Sequence, residues 1–285
     1  MDGKRLSKSK ATGWSDMPHD ILLRIFALVS IMDRMLNVSR VCSSWRRACS
    51  AAVFSSTLDI SEYRKSQDYQ QQGWRSQLEL IFRRGIHLGG PKLTKLVFDI
   101  DFEVEDTHLT YAAERCPNLQ ELLLHIPVRT TERGLATAFR CWTMLERLDI
   151  SFFGRPHVNI FSIVGERCPL LTEIKICGCF FNNRIAVLIG RHIPGLKKLS
   201  FRCAFVTRDG VQSLLNMMQD LDELYICVRK IDVPFYRHTG PGPAIMCEPR
   251  FLRNTSRLSV YHICYTGECG TCPASTMATP LPINF

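Results

Sequence analysis

No run of apolar residues in this 285-residue chain approaches the ~20 needed to cross a bilayer as a helix. The opening stretch, "MDGKRLSKSKATG", is basic but lacks the apolar segment that a secretory signal requires. These absences exclude a membrane partner of the spanning kind and lead us to expect a cytoplasmic protein, a nuclear one, or one found in both places. The composition does not suit a disordered chain either, since 46% of residues are hydrophobic against 22% charged. No nucleophile stands beside a base in a recognisable order. Cys264 near His262 is not a catalytic signal by itself, and no enzymatic activity is expected.

What the chain has in quantity is cysteine, 13 in all. The number is odd, and many of them sit where a small apolar residue fits, as in "ERCPNL", "AFRCWTML" and "ERCPLL". In a reducing compartment such residues act as small hydrophobes rather than disulfide partners. The net charge is +9, but Lys4, Arg5, Lys8 and Lys10 place part of it in residues 1 to 13, which read as a disordered basic tail.

The strongest feature is internal repetition. The segments "LTKLVFDI", "LQELLLHI", "LERLDISF", "LTEIKICGC", "LKKLSFRC" and "LDELYICV" share the spacing L-x-x-[LI]-x-[LIF]. Their first leucines, Leu93, Leu119, Leu145, Leu171, Leu196 and Leu221, are separated by 26, 26, 26, 25 and 25 residues. The end of each frame alternates with the period of a strand, and the remainder of each unit reads as a helix. Thr131 and Thr207 are expected N-caps, and the prolines at 117, 169 and 194 should end helices at the residue before them. A strand and a helix every ~26 residues make a leucine-rich repeat, so the fold class is α/β: a solenoid with parallel strands on its concave face and helices outside. Such repeats usually carry Asn or Cys at the ninth position. Here Asp101, Pro127, Phe153, Cys179, Ala204 and Arg229 stand there, so a less regular bonded ladder is expected.

Ahead of the repeats lies "WSDMPHDILLRIFALVSIMDRMLNVSRVCSSWRRAC", too short to bury a core alone. Met17-Pro18, Asp20, Ile21-Leu22, Ile25-Phe26, Met35-Leu36, Val38 and Val41-Cys42-Ser43-Ser44-Trp45-Arg46 follow one another in the order of an F-box. Residues 14 to 53 therefore resemble that three-helix module, with Met17 in place of the usual Leu. A small F-box before leucine-rich repeats resembles the substrate receptors of SCF-type cullin–RING ubiquitin ligases, with repeats of the irregular, plant-like class. The resemblance implies a Skp-family adaptor as partner, and through it cullin and RING subunits. It implies adaptor contacts at Met17, Pro18, Ile21, Leu22, Ile25, Phe26, Leu36, Val38, Val41, Cys42 and Trp45, and a target protein held by the repeats for ubiquitination. The other reading is a repeat scaffold that acts outside a ligase. Residues 54 to 92 are assigned to a junction and degenerate first repeat, with "TLDI" as its strand, and residues 93 to 262 to the repeats with an irregular last repeat, in which "SRLSVYHI" is expected as one last strand that caps the solenoid.

Alternation along the strands turns intervening residues to the concave face. That points outward Lys95, Val97 and Asp99; Glu121, Leu123 and His125; Arg147, Asp149 and Ser151; Glu173, Lys175 and Cys177; Lys198, Ser200 and Arg202; and Glu223, Tyr225 and Cys227. The list carries five charges of each sign, which argues against nucleic acid and for a protein partner. Target contacts are expected at Arg147, Asp149, Lys175, Arg202 and Tyr225. Phe152, Phe153, Phe180, Phe181 and Phe205 should mostly pack inside, with one or two exposed. Finally, "HICYTGECGTCPAS" holds Cys264, Cys269 and Cys272 at C-x4-C-x2-C. The spacing matches the three-cysteine loop of plant-type ferredoxins, but no fourth Cys follows. His262 would complete a Cys3His zinc set. The preferred reading of residues 263 to 285 is a disordered, oxidisable tail with neither metal nor cofactor.

Overall fold

The computed structural model describes residues 13–29, 31–52, 56–65, 73–126, 130–152, 159–228, 249 and 252–265. The basic start, Pro127, Phe153, Arg229, the proline-rich stretch beyond it, and Cys269 and Cys272 lie outside the described residues.

Three short helices open the chain: α1 (His19–Ala27), α2 (Ile31–Leu36) and α3 (Ser43–Ala52). Pro18 sits just before α1, where its missing N–H costs nothing and its carbonyl accepts the Leu22 amide at 3.1 Å. A short strand β1 (Thr57–Asp59) and a longer helix α4 (Trp74–Gly89) join this piece to the repeats. The joint is specific. Arg84 of α4 donates to the carbonyls of Met35 and Leu36 at 3.1 and 3.0 Å, a cation at the carbonyl end of α2. Leu58 of β1 lies against Gly85, where a Cβ would meet its side chain at 2.6 Å.

Thereafter strand and helix alternate: β2 (Lys95–Val97), α5 (Asp106–Arg115), β3 (Glu121–Ile126), α6 (Glu132–Cys141), β4 (Arg147–Phe152), α7 (Ile160–Arg167) and β5 (Glu173–Cys177). They continue with β6 (Phe180–Phe181), α8 (Asn183–His192), β7 (Lys198–Val206), α9 (Arg208–Met217), β8 (Glu223–Val228) and β9 (Val260–Tyr265). All neighbouring strands run parallel, in the order β1-β2-β3-β4-β5-β7-β8-β9, with β6 beside β7. The frame leucines, from Leu93 through Leu119, Leu145, Leu171 and Leu196 to Leu221, are buried between sheet and helices. Thr131 and Thr207 cap their helices by accepting the amides of Gly134 and Gly210. Cys116, Cys168 and Ile193, each before a proline, end theirs. Burial pushes the Cys116 and Cys168 thiols up to about 12, which keeps them in the unreactive thiol form.

A regular ladder does exist, at the opposite ends of the strands from the ninth positions. Two successive amides of each repeat share one carbonyl of the repeat before: Thr94 and Lys95 on Ser56, Gln120 and Glu121 on Thr94, Glu146 and Arg147 on Gln120, and so on to Ser259 and Val260 on Asp222. Backbone alone makes these bonds, so side-chain irregularity leaves them intact.

One further expectation changes. Strand β9 runs to Tyr265, three residues into the stretch assigned to a disordered tail, because it continues the parallel register of β8. Its lead-in carries an unforeseen cap. Arg257 donates to the carbonyls of Leu215, Met218, Gln219 and Leu221, at 2.5 to 3.3 Å, and so closes the carbonyl end of α9. Of the phenylalanines, Phe152 and Phe181 are buried and Phe180 is exposed.

Among the described residues, no helix is long and apolar enough to cross a membrane.

Candidate functional site

Helix α1 carries two apolar stripes, because Ile21-Leu22 and Ile25-Phe26 each place apolar neighbours about 100° apart around the axis. One stripe faces inward: Leu22 and Phe26 are fully buried. The other faces solvent, with Ile21 38%, Ile25 36% and Leu28 90% exposed. Val41 at 58% and Trp14 at 67% are also exposed on these opening residues. Trp45 links interior to surface. Its ring meets Phe26 edge-on at 5.2 Å and Trp14 at 6.3 Å, and its Nε1–H donates to the Trp14 carbonyl at 2.9 Å. Cys42 lies just before α3, its Sγ accepting the Trp45 amide at 3.5 Å. Hydrogen bonding to Ser44, then that amide, holds the Cys42 thiol below its ordinary value.

The eleven adaptor positions thus divide. Pro18, Ile21, Ile25 and Val41 are exposed, Cys42 is half-buried, and Met17, Leu36, Val38 and Trp45 are half-buried against the core. Leu22 and Phe26 lie within it and support the face from below. Leu28 was missed, although it continues the 21–25 stripe at helical spacing.

Strand register sets two rows on the concave face. The first row runs Lys95, Glu121, Arg147, Glu173, Lys198, Glu223, so its charges alternate in sign across six strands. Its members bind one another: Lys95 with Glu121, Arg147 with Glu121 at 3.2 Å, and Lys198 with Glu223 at 2.6 Å. Burial pushes the Glu121 carboxyl up, yet hydrogen bonds from Lys95 and Arg147 outweigh it and bring the carboxyl below its ordinary value. Arg147 also reaches Glu146 at 3.3 Å. Its guanidinium therefore pairs within the sheet's own ladder while its side chain stays 42% exposed on the concave face.

The second row runs Val97, Leu123, Asp149, Lys175, Ser200, Tyr225, His262. Burial raises the Asp149 carboxyl, against the pull of Arg202 and Lys175, and Arg202 lies only loosely against it at 4.0 Å. A groove of about 300 Å³ opens over strands β5, β7, β8 and β9, with Lys175, Lys198, Arg202, Tyr225 and His262 among its walls. Lys175, Arg202 and Tyr225 are brought together there; Arg147 and Asp149 lie outside it. Tyr225 is 36% exposed, and its ring meets that of His262 at 6.2 Å. Lys198 and His262 were not among the expected contacts. Nothing in the repeat frame identified β9 as a wall.

Four residues expected outward are buried instead: Val97, Asp99, Ser200 and Cys227. Asp99 turns into its loop, accepting the Asp101 amide at 2.7 Å and Arg64 at 3.1 Å. Cys227 is covered because β9 adds a strand beside it, in register at Cys264.

The family model for the F-box domain matches residues 14–54. The F-box/LRR-repeat protein At3g48880 of Arabidopsis thaliana is 30% identical over 224 residues, which cover 75% of this chain and 71% of that protein. This chain belongs to the F-box/LRR-repeat family. Two further Arabidopsis thaliana relatives of this F-box/LRR-repeat chain are Putative F-box/LRR-repeat protein 9 and F-box protein SKIP1. The first is 25% identical, covering 74% of this chain and 85% of the relative. The second is 28% identical, covering 75% and 79%. A solved TLR13–ssRNA13 complex overlaps 65% of this chain and 30% of its own at 16% identity, with a TM-score of 0.36, too low to bear on fold or function.

Proposed function

We propose that this protein is the substrate-recognition subunit of an SCF-type ubiquitin ligase. Its F-box docks a Skp-family adaptor, and its concave groove holds a target protein for ubiquitination. One observation carries the reading. The module in residues 14–54 keeps a second apolar stripe, Ile21, Ile25 and Leu28, that the core of the described residues does not use. Exposed apolar residues so grouped on a helical module suit a helix-in-groove partner. In this role the chain supplies proximity and orientation and leaves bond making to other subunits. On the target side the favoured contacts are Lys175, Arg202 and Tyr225, joined by Lys198 and His262, because these share the groove. Tyr225 is the expected anchor, a rigid aromatic body with a polar tip.

The test is to precipitate the tagged chain from cells and probe for adaptor and cullin, then to follow protein levels after its removal. Cullin in the precipitate and accumulating targets support the ligase role. Adaptor and cullin both absent would leave a repeat scaffold acting alone.

A further inference from the structure

We propose that Cys177 and Cys203 form an oxidation site, a thiol pair that a peroxide converts to a reversible disulfide where β5 ends against β7. The argument starts from register. Cys177 of β5 has Arg202 of β7 as its partner. Between the Phe201–Ile226 and Ala204–Val228 pairs, β7 then sets two residues, Arg202 and Cys203, against Cys227 of β8 alone. That is a β-bulge, a device that re-aims side chains. Cys203 takes a φ of 49° there, in the left-handed region that residues with a Cβ seldom occupy. The two thiols share a hydrogen bond.

This pair differs from the cysteines of the core. Cys116, Cys168 and Cys179 are buried, and burial pushes their thiols up to about 12, so they act as small hydrophobes. Cys227, which the bulge also faces, is buried as well. Cys177 and Cys203 are only half-buried, within reach of a small oxidant. Adjacent strands about 4.8 Å apart suit the roughly 4.4–6.8 Å that separates the Cα atoms of a disulfide.

Hydrogen bonding to Cys203 first, then burial, pushes the Cys177 thiol up, so Cys177 keeps its proton and Cys203 is the attacking sulfur. The Cys203 thiolate attacks one peroxide oxygen and the O–O bond breaks. Cys203 sulfenic acid forms, and the departing hydroxide takes up the proton that the thiol released. The Cys177 sulfur then attacks the sulfenic sulfur. The S–S bond forms, the S–O bond breaks, and the leaving hydroxide carries off the Cys177 proton as water. Two thiols and one peroxide become one disulfide and two waters, with two electrons passing from sulfur to oxygen. A free thiol such as reduced glutathione reverses the bond by exchange. The disulfide ties the end of β5 to the bulge, where the Arg202 carbonyl already accepts the Gly178 amide at 3.0 Å. This chemistry is independent of what the concave groove holds.

The experiment uses the full chain, purified reduced and treated with hydrogen peroxide while folded. Remaining thiols are blocked with N-ethylmaleimide, and the chain is digested with trypsin without reduction. Cleavage after Lys175, Arg184, Arg202 and Arg208 puts Cys177 in peptide 176–184 and Cys203 in peptide 203–208. Mass spectrometry should find these two peptides joined, at their summed mass less two hydrogens. Reduced glutathione added to the folded, oxidised chain should separate them. Cys179 shares the first peptide, so fragmentation of the wild-type linked pair must assign the bond to Cys177. Cys179→Ser should keep the link, whereas Cys177→Ser should abolish it and leave a Cys203 sulfenic acid that dimedone traps. The wild-type peptide map decides the matter even where a variant does not fold. Unlinked wild-type peptides, a bond at Cys179, or Cys203 joined instead to Cys227 or Cys264 overturns the proposal.

Discussion

Replacing His125 should remove a measurable part of the protein's acid sensitivity. The imidazole stands on β3 at the N-terminal part of the concave face. Burial first, then repulsion from Arg64, hold its pKa down at about 4 against a pull from Asp101, compared with 6.5 for a free imidazole. Between those two values the unfolded chain binds a proton that the folded chain refuses. Stability is therefore fully present above about pH 6.5 and is lost as the pH falls toward 4. At about 1.36 kcal/mol per unit, the interval of about 2.5 units is worth about 3 kcal/mol, of which about 2 kcal/mol is lost by pH 5. Urea unfolding of wild type and His125→Gln near pH 7.5 and pH 5 isolates this contribution, because all other titrating groups are common to both. The wild type should lose about 2 kcal/mol more than the variant over that range. Equal pH slopes in the two proteins would refute the reasoning.

Gly165→Ala should destabilise by about 1–3 kcal/mol, since its Cβ would fall 2.1 Å from the His192 carbonyl oxygen where α7 meets α8. Gly195→Ala, with nothing within 4 Å, should leave the melting temperature unchanged. Arg257→Ala removes the bonds closing α9 and should cost about 2–3 kcal/mol, seen as faster hydrogen exchange in α9 and β9 with the opening helices unaffected. Arg147→Ala should leave target capture intact because the first row engages its guanidinium. Lys175→Glu with Arg202→Glu should abolish capture while adaptor binding persists; the opposite pattern would move the target site toward β4.

Much of this molecule was readable from its residues. Six leucine frames at a constant period located the parallel strands, their helices and the thread of core between them. The order Met17-Pro18 to Trp45-Arg46 marked out the F-box. Harder to read was which of two adjacent apolar residues enters the core: Ile21 and Leu22 are chemically alike, and only the packing of α1 against α3 separates them. Arg147 looked like any outward strand residue, because its partner Glu121 lies 26 residues upstream and becomes a neighbour only through register. Asp99 misled for the same reason, its partner Arg64 being 35 residues away. Strand β9 has no leucine frame, so the sequence held no period from which to extend the sheet to Tyr265.

The most direct test of the central claim is a binding titration of the purified Skp-family adaptor with wild type and with the Ile21→Asp, Ile25→Asp double variant. Both side chains lie on the exposed stripe, so the substitutions bury no charge and thermal unfolding should be unchanged. Loss of the docking anchors should weaken adaptor binding by at least about 2 kcal/mol, roughly 30-fold. Wild-type affinity in the double variant, or no adaptor binding by the wild type, would contradict the account.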